Sequence, residues 1–316
     1  PATALPCLLA AASGADVFLV GMGAPTIDTY FARTLVRRLL RRARWITARD
    51  DMSFKALQEL ASDAEGRVIR GADTALALSR SGAVDRDRMR TDGDHVRIGL
   101  MLRDWIPRHR ERGLAHLLPV ALRRRILRFR DPTAAERLFW ADLAGACRDL
   151  LSMDEAIELC FLPMWPGRDD LRARRFVADH LSEVDSDRIC IWRPTDDPIQ
   201  MLHSIQSLDC VISMRLHALI FAALSGVPAV ALSCAVKQDE FMRQIEGSDR
   251  IFSVYDFEAD RFVAGVSEVV ADGAQVAARQ SENLGAMANI ALRDLTRLQF
   301  EIRLRTESAG VAAFGQ

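Results

Sequence analysis

From Asp209 to Pro228 the chain reads Asp-Cys-Val-Ile-Ser-Met-Arg-Leu-His-Ala-Leu-Ile-Phe-Ala-Ala-Leu-Ser-Gly-Val-Pro. This run constrains the fold more than any other. Cys210–Ser213 is too short and too apolar for a surface helix and fits a strand buried on both faces. A helix over Leu216–Leu224 follows, small-residued and apolar enough to lie flat on a sheet. Gly226 is placed to end it and Pro228 to open the next strand. A strand, a tight turn, a covered helix and another buried strand make up the repeating unit of a parallel α/β layer.

The same alternation extends both ways. Buried strands are expected at Val17–Val20, Trp45–Ala48, Val96–Leu102, Ile157–Leu162, Arg188–Trp192 and Ala229–Ser233. Helices are expected at about 29–44, 133–152, 169–181 and 199–207, and another should be capped by Asp50 or Asp51. Residues 66–78 read as strand and loop. The polar segment 79–94 reads as a linker. From Asp256 onward the chain reads as helical, with a long helix from Ala274 to about Leu304. The expected organisation is a partial first Rossmann-like domain over 1–85, a second over 95–255, and C-terminal helices over 256–316.

In open parallel sheets ligands bind beyond the carboxyl ends of the strands. Arg215 and His217 fall at such an end, on a helix N-terminus. There, free backbone N–H groups, the helix dipole and a guanidinium all favour an anion. His217 would be able to move a proton beside it. The plainer alternative, that Arg215 pairs with an acidic neighbour and His217 packs, stays open on these residues alone.

The surrounding residues narrow the chemistry further. No GxGxxG, P-loop or His-Glu-x-x-His pattern occurs, which argues against a dinucleotide cofactor, an NTPase and a zinc hydrolase. His95, His109, His116, His180 and His203 show no metal-ligand spacing, so neither cofactor nor metal is expected. The six cysteines lack a CxxC pair and several lie in apolar runs, which fits free thiols in a reducing, cytoplasmic setting. The basic residues are nearly all arginine; only Lys55 and Lys237 are lysine. Arginines cluster at 37–42 and again across 109–130. Either cluster reads as a solvated helix face or as a contact with anionic lipid headgroups at the inner face of a membrane. A net charge of −1 argues against nucleic acid.

Ser213-Met-Arg-Leu-His-Ala-Leu-Ile-Phe-Ala-Ala-Leu-Ser-Gly-Val-Pro228 is very similar to the hallmark segment of the polysaccharide pyruvyl transferase family. Other pieces resemble that family in order. They are Gly21-Met-Gly-Ala-Pro25, Ala48-Arg-Asp-Asp-Met-Ser53 with Leu57, Ala72-Asp73, Leu102-Arg103, and Lys237 followed by Phe241. Cys234-Ala-Val-Lys237 stands where the family has Tyr-Asp-Pro-Lys. The resemblance implies a GT-B-like α/β fold of two Rossmann-like domains with parallel sheets and a cleft between them, the first domain N-terminally truncated at Pro1. It implies phosphoenolpyruvate as donor, a saccharide or lipid-linked saccharide as acceptor, and transfer of the enolpyruvyl unit as a ketal with release of phosphate. By motif, Arg215, Leu216 and His217 would contact the donor, Arg103 would face them, and Lys237 would hold phosphate; His217 would be catalytic. Two alternatives stand beside this: a GT-B glycosyltransferase using a nucleotide sugar, and a non-catalytic family member acting as a scaffold in exopolysaccharide assembly.

Overall fold

The structure is a computed structural model that describes residues 4–24, 27, 30–61, 67–80, 95–103, 133–165, 169–184 and 186–313. Two compact units emerge, one of Pro1–Ser81 with Leu284–Gln316 and one of Gly82–Asn283. The expected linker at 79–94 and the arginine-rich stretch 109–130 fall almost wholly outside the described residues.

The first unit is built on three parallel strands in sequential order: β1 (Val17–Met22), β2 (Ala43–Ala48) and β3 (Val68–Arg70). Helices α1 (Ala4–Ala12), α2 (Tyr30–Arg42) and α3 (Asp51–Leu60) accompany them. In α2, Ala32, Leu39 and Leu40 are buried while the arginines face outward, the amphipathic split its 3.6-residue period predicts. Of the two cap candidates for α3 it is Asp50 that caps. Its carboxylate accepts from Ser53 N–H at 2.7 Å, and Ser53 Oγ in turn accepts from Ala24 N–H at 2.9 Å. One cap thus ties the start of α3 to the exit of β1.

The second unit holds six strands: β4 (Val96–Met101), β5 (Ile157–Phe161), β6 (Ile189–Ile191), β7 (Cys210–Ser213), β8 (Ala229–Ser233) and β9 (Ile251–Ser253). All are parallel, in the order β6-β5-β4-β7-β8-β9. This is the doubly wound order, in which the chain starts in the middle, works outward to one edge, then returns and works outward to the other. Strand β9 lies beyond the five expected in this unit. Its three residues are too few to show a period, and the pairing Ala231↔Ile251 to Ser233↔Ser253 defines it.

Helices α4 (Ala134–Met153), α5 (Asp169–His180), α6 (Pro198–Gln206), α7 (Leu216–Leu224), α8 (Val236–Gln244) and α9 (Ala259–Ala271) connect and cover the sheet. Thr133 and Glu136 form a reciprocal capping box at the start of α4. On α7 eight of nine residues are buried, His217 being the exception. Gly226 follows α7 with φ +69°, and Val227 N–H closes the turn on Ala222 C=O at 2.9 Å. A side chain at Gly226 would meet no atom, so the glycine is required by its left-handed backbone and not by space.

The residues expected as terminal helices, 256–316, divide between the units. Helix α9 packs on α4 through Phe262, Val266 and Val269. The last helix, α10 (Gly273–Ala313), contributes its residues up to Asn283 to the second unit and those from Leu284 to the first. Gln280 on α10 fixes the second-unit end. Its Oε1 accepts from Ala229 N–H at 3.0 Å and from the buried Arg250, and its Nε2 donates to Val227 C=O at 3.1 Å.

Candidate active site

In a doubly wound sheet the crevice opens where the strand order reverses, here between β4 and β7. The register makes the geometry concrete. Met101 and Ser213 are partners at the carboxyl ends of β4 and β7, and Met214 N–H donates to Met101 C=O at 3.1 Å. Arg103 and Arg215 each lie two residues past this pair. Two guanidinium-bearing residues therefore leave adjacent strands at the switch point.

The turn that carries Arg215 is clamped by its own strand end. Buried Ser213 Oγ accepts from Arg215 N–H at 2.8 Å and donates to Arg215 C=O at 3.1 Å. Arg215 is the N-cap of α7, in extended conformation and without a side-chain cap bond. The start of α7 therefore carries no side-chain cap, and its N–H groups and dipole favour an anion. His217 occupies the first turn of this helix and is exposed. Leu216 is buried at its side, so its backbone N–H is what it can offer a ligand.

Arg215 has an acidic partner. Its Nε donates to Asp169 Oδ2 at 3.0 Å and its Nη2 to Oδ1, the two-point fork of arginine on carboxylate. Asp169 is only 2% exposed and opens α5, where the helix dipole favours a negative charge. Guanidinium has five N–H bonds and this fork takes two. The pairing fixes the plane of the guanidinium and leaves its other edge able to bind an anion.

A third cation arrives from β8. Past Ser233 the chain turns through Cys234 and Ala235 into α8, with Lys237 in the first turn and half-buried. Buried Gln238 shapes this turn, its Oε1 accepting from Cys234 N–H at 3.0 Å and from Ala235 N–H at 3.1 Å. Cys234 reports what gathers around it. Burial pushes its thiol pKa up, and Arg103, Lys237 and Arg215, in that order, draw it back down. Three cationic side chains from three strand exits therefore act on one sulfur. Among the described residues the site brings together three cationic side chains, two helix N-termini and one exposed imidazole. Among the described residues no group of three or more His, Cys, Asp or Glu is placed to hold a metal.

The family model for polysaccharide pyruvyl transferase matches residues 3–235, which spans every element just described up to the turn into α8. The chain belongs to the polysaccharide pyruvyl transferase family. No curated protein sequence matches it. Solved structures share its fold at low identity. The Staphylococcus aureus MnaA–UDP co-structure aligns with TM-score 0.59 and 14% identity, covering 94% of this chain and 71% of that one. The UDP-GlcNAc 2-epimerase of Methanocaldococcus jannaschii aligns with TM-score 0.60 and 12% identity, over 94% and 74%. The α,α-trehalose 6-phosphate synthase of Burkholderia multivorans aligns with TM-score 0.50 and 14% identity, over 95% and 66%. These are GT-B enzymes, and this chain shares their α/β fold.

Of the residues that sequence reasoning singled out in this family member, Arg103, Arg215 and Lys237 share one electrostatic neighbourhood and His217 sits on the turn after Arg215. Three further residues shape the site. The role of Asp169 was hidden because its partner lies 46 residues away. Ser213 carried a local signal, a serine at a strand end whose hydroxyl reaches the N–H two residues on. Gln238 also carried one, glutamine at the third helical position, which the alanine at the cap position obscured.

The first-unit motif Arg49-Asp50 with Ser53 forms a local network at the exits of β1 and β2. Arg49 pairs with Asp50 at 3.1 Å and with Asp73 at 3.5 Å, Asp50 caps α3, and Ser53 holds the exit of β1.

Proposed function

We propose that this chain transfers the enolpyruvyl unit of phosphoenolpyruvate to a sugar of a polysaccharide, or of its lipid-linked precursor, as a pyruvate ketal. The observation that carries this reading is the placement of Arg103 and Arg215 just past the paired ends of β4 and β7 at the switch point, with His217 and Lys237 in the first turns of α7 and α8. Phosphoenolpyruvate bears a carboxylate and a phosphate on adjacent groups, so it calls for several fixed cations at close quarters. Arg215, held in plane by Asp169, suits the planar carboxylate; Lys237 suits phosphate as a point charge.

The reaction adds two sugar hydroxyls across one carbon. The donor methylene gains a proton and becomes a methyl group, while a hydroxyl oxygen attacks the neighbouring carbon. That carbon then loses its bond to the phosphate oxygen, and the second hydroxyl attacks in its place. Of the two hydroxyl protons, one ends on the methyl group and one on the departing phosphate. His217 is assigned the proton delivered to the methylene, directly or by relay. The N–H groups at the start of α7, Leu216 among them, oppose the negative charge of the donor. Reduced cysteines fit a cytoplasmic reaction.

Thermal stability measured with phosphoenolpyruvate and with UDP-sugars separates this from the nucleotide-sugar reading. A ligand at 100 times its Kd adds about 2.7 kcal/mol. Stabilisation by phosphoenolpyruvate, lost in Arg215→Ala, supports the proposal, as does phosphate release that requires a saccharide acceptor and fails in His217→Ala. Stabilisation by a UDP-sugar alone transfers the site to glycosyl chemistry. No ligand effect at all favours the scaffold reading.

A further inference from the structure

The solvent face of α2 stands apart from the rest of the first unit. Placed on a helix of 3.6 residues per turn, the residues opposite buried Ala32, Leu39 and Leu40 are Tyr30, Phe31, Arg33, Thr34, Arg37, Arg38, Arg41 and Arg42. All five arginines are exposed, Tyr30 is 84% and Phe31 72% exposed, and α2 contains no acidic residue. Arg67 adds to the charge beside it, donating to Arg41 C=O at 3.0 Å while itself exposed. Asp16, an acid close to this region in sequence, is occupied by Arg44 and Arg305. Helix α1 packs against α2, has no charged residue, and turns Leu5 and Leu9 outward.

Two large aromatic side chains held in water among five arginines are costly unless something covers them. A surface that is anionic at its outer layer and apolar just beneath matches the pattern. Arginines lie at the level of the headgroup phosphates, and aromatic rings reach the boundary below. A nucleic acid would suit the arginines, but it offers nothing to the aliphatic Leu5 and Leu9.

We infer that the α2 face, with Phe31 and Tyr30 at its start, docks the protein on the anionic lipid surface of a membrane. The docking is peripheral, since no helix among the described residues is long and apolar enough to cross a bilayer. It stands on the first unit alone and is independent of which donor the second unit binds.

Co-sedimentation of the full chain with vesicles tests it, without donor or acceptor. Vesicles of phosphatidylcholine alone are compared with equimolar phosphatidylcholine and phosphatidylglycerol, at low and at physiological salt. Each arginine near an anionic surface strengthens partitioning about fivefold, the equivalent of about 1 kcal/mol. Arg38→Gln with Arg41→Gln should therefore weaken binding to the anionic vesicles roughly thirtyfold. Arg38→Lys with Arg41→Lys should retain it, and Phe31→Ser should weaken the part that survives added salt. Unchanged melting temperatures exclude misfolding as the cause. Equal binding to phosphatidylcholine alone overturns the inference. So does binding unaffected by the glutamine pair, which would move the membrane contact elsewhere in the chain. Absence of vesicle binding, with or without capture of a single-stranded oligonucleotide, overturns it too; none of these results bears on the donor site.

Discussion

Arg49 and Arg215 occupy the same kind of place, just past the carboxyl end of a buried parallel strand, one in each unit. What separates them is the company each keeps. Arg49 meets two carboxylates, Asp50 and Asp73, and its guanidinium lies so close to Gly23 that an added Cβ there would sit 2.5 Å from Cζ. It is sealed and its charge is more than balanced. Arg215 meets one carboxylate, Asp169, while Arg103 and Lys237 act on the same neighbourhood. Among the described residues, three cationic side chains there meet the Asp169 carboxylate, and the α7 N-terminus has no side-chain cap. Position on the fold alone does not make an anion site; several cations gathered beside a helix N-terminus that no side chain caps do.

The largest expected effect comes from breaking the second pair. Arg215→Ala leaves the 2%-exposed Asp169 without its guanidinium, and removing one member of a buried ion pair costs about 3 kcal/mol or more. Chemical denaturation should show that loss, and stabilisation by phosphoenolpyruvate should vanish with it. Asp169→Asn tests whether the pair positions or merely neutralises. Binding of phosphoenolpyruvate should weaken as the guanidinium loses its fork, whereas a purely balancing role predicts tighter binding once a negative charge is gone.

Arg49→Ala should cost somewhat less, about 2 kcal/mol, because Asp50 retains the Ser53 N–H and Asp73 the Ala75 N–H. Phosphoenolpyruvate should still stabilise this variant, and a lost response would remove the distinction between the two arginines. Ser213→Ala, which frees both backbone groups of Arg215 from their clamp, should cost about 1 kcal/mol and weaken donor binding along with it.

The smallest effect is read at Cys234. Burial raises its thiol pKa and the three cations oppose that rise. Lys237→Met removes one of them, so the thiol should ionise at still higher pH. Alkylation by iodoacetamide should then slow in mildly alkaline buffer, where the thiolate fraction sets the rate. Occupation of the site by phosphoenolpyruvate should slow it in the same direction. Faster alkylation in Lys237→Met would place that lysine away from the site.

Much of the second unit was legible in the chain. Segment 210–233 carries buried strands, a small-residued helix and a glycine stop within two dozen residues, so every signal there is local. The bounds of β7, α7 and β8 follow directly. Strand β9 was not legible, because three residues at a sheet edge show no pattern apart from their neighbour β8. Nor was the fate of α10, whose one helical period runs through residues of both units.

The same division holds for the site. The sequence by itself determined that Arg103, Arg215, His217 and Lys237 leave strand ends or start helices, since strand and helix periods and their breaks are properties of neighbouring residues. Only the tertiary structure decided that β4 lies beside β7, bringing Arg103 next to Arg215 across more than a hundred residues, and that Asp169 holds that arginine. Strand order and long-range ion pairs are set by which surfaces bury together, and no local pattern encodes them.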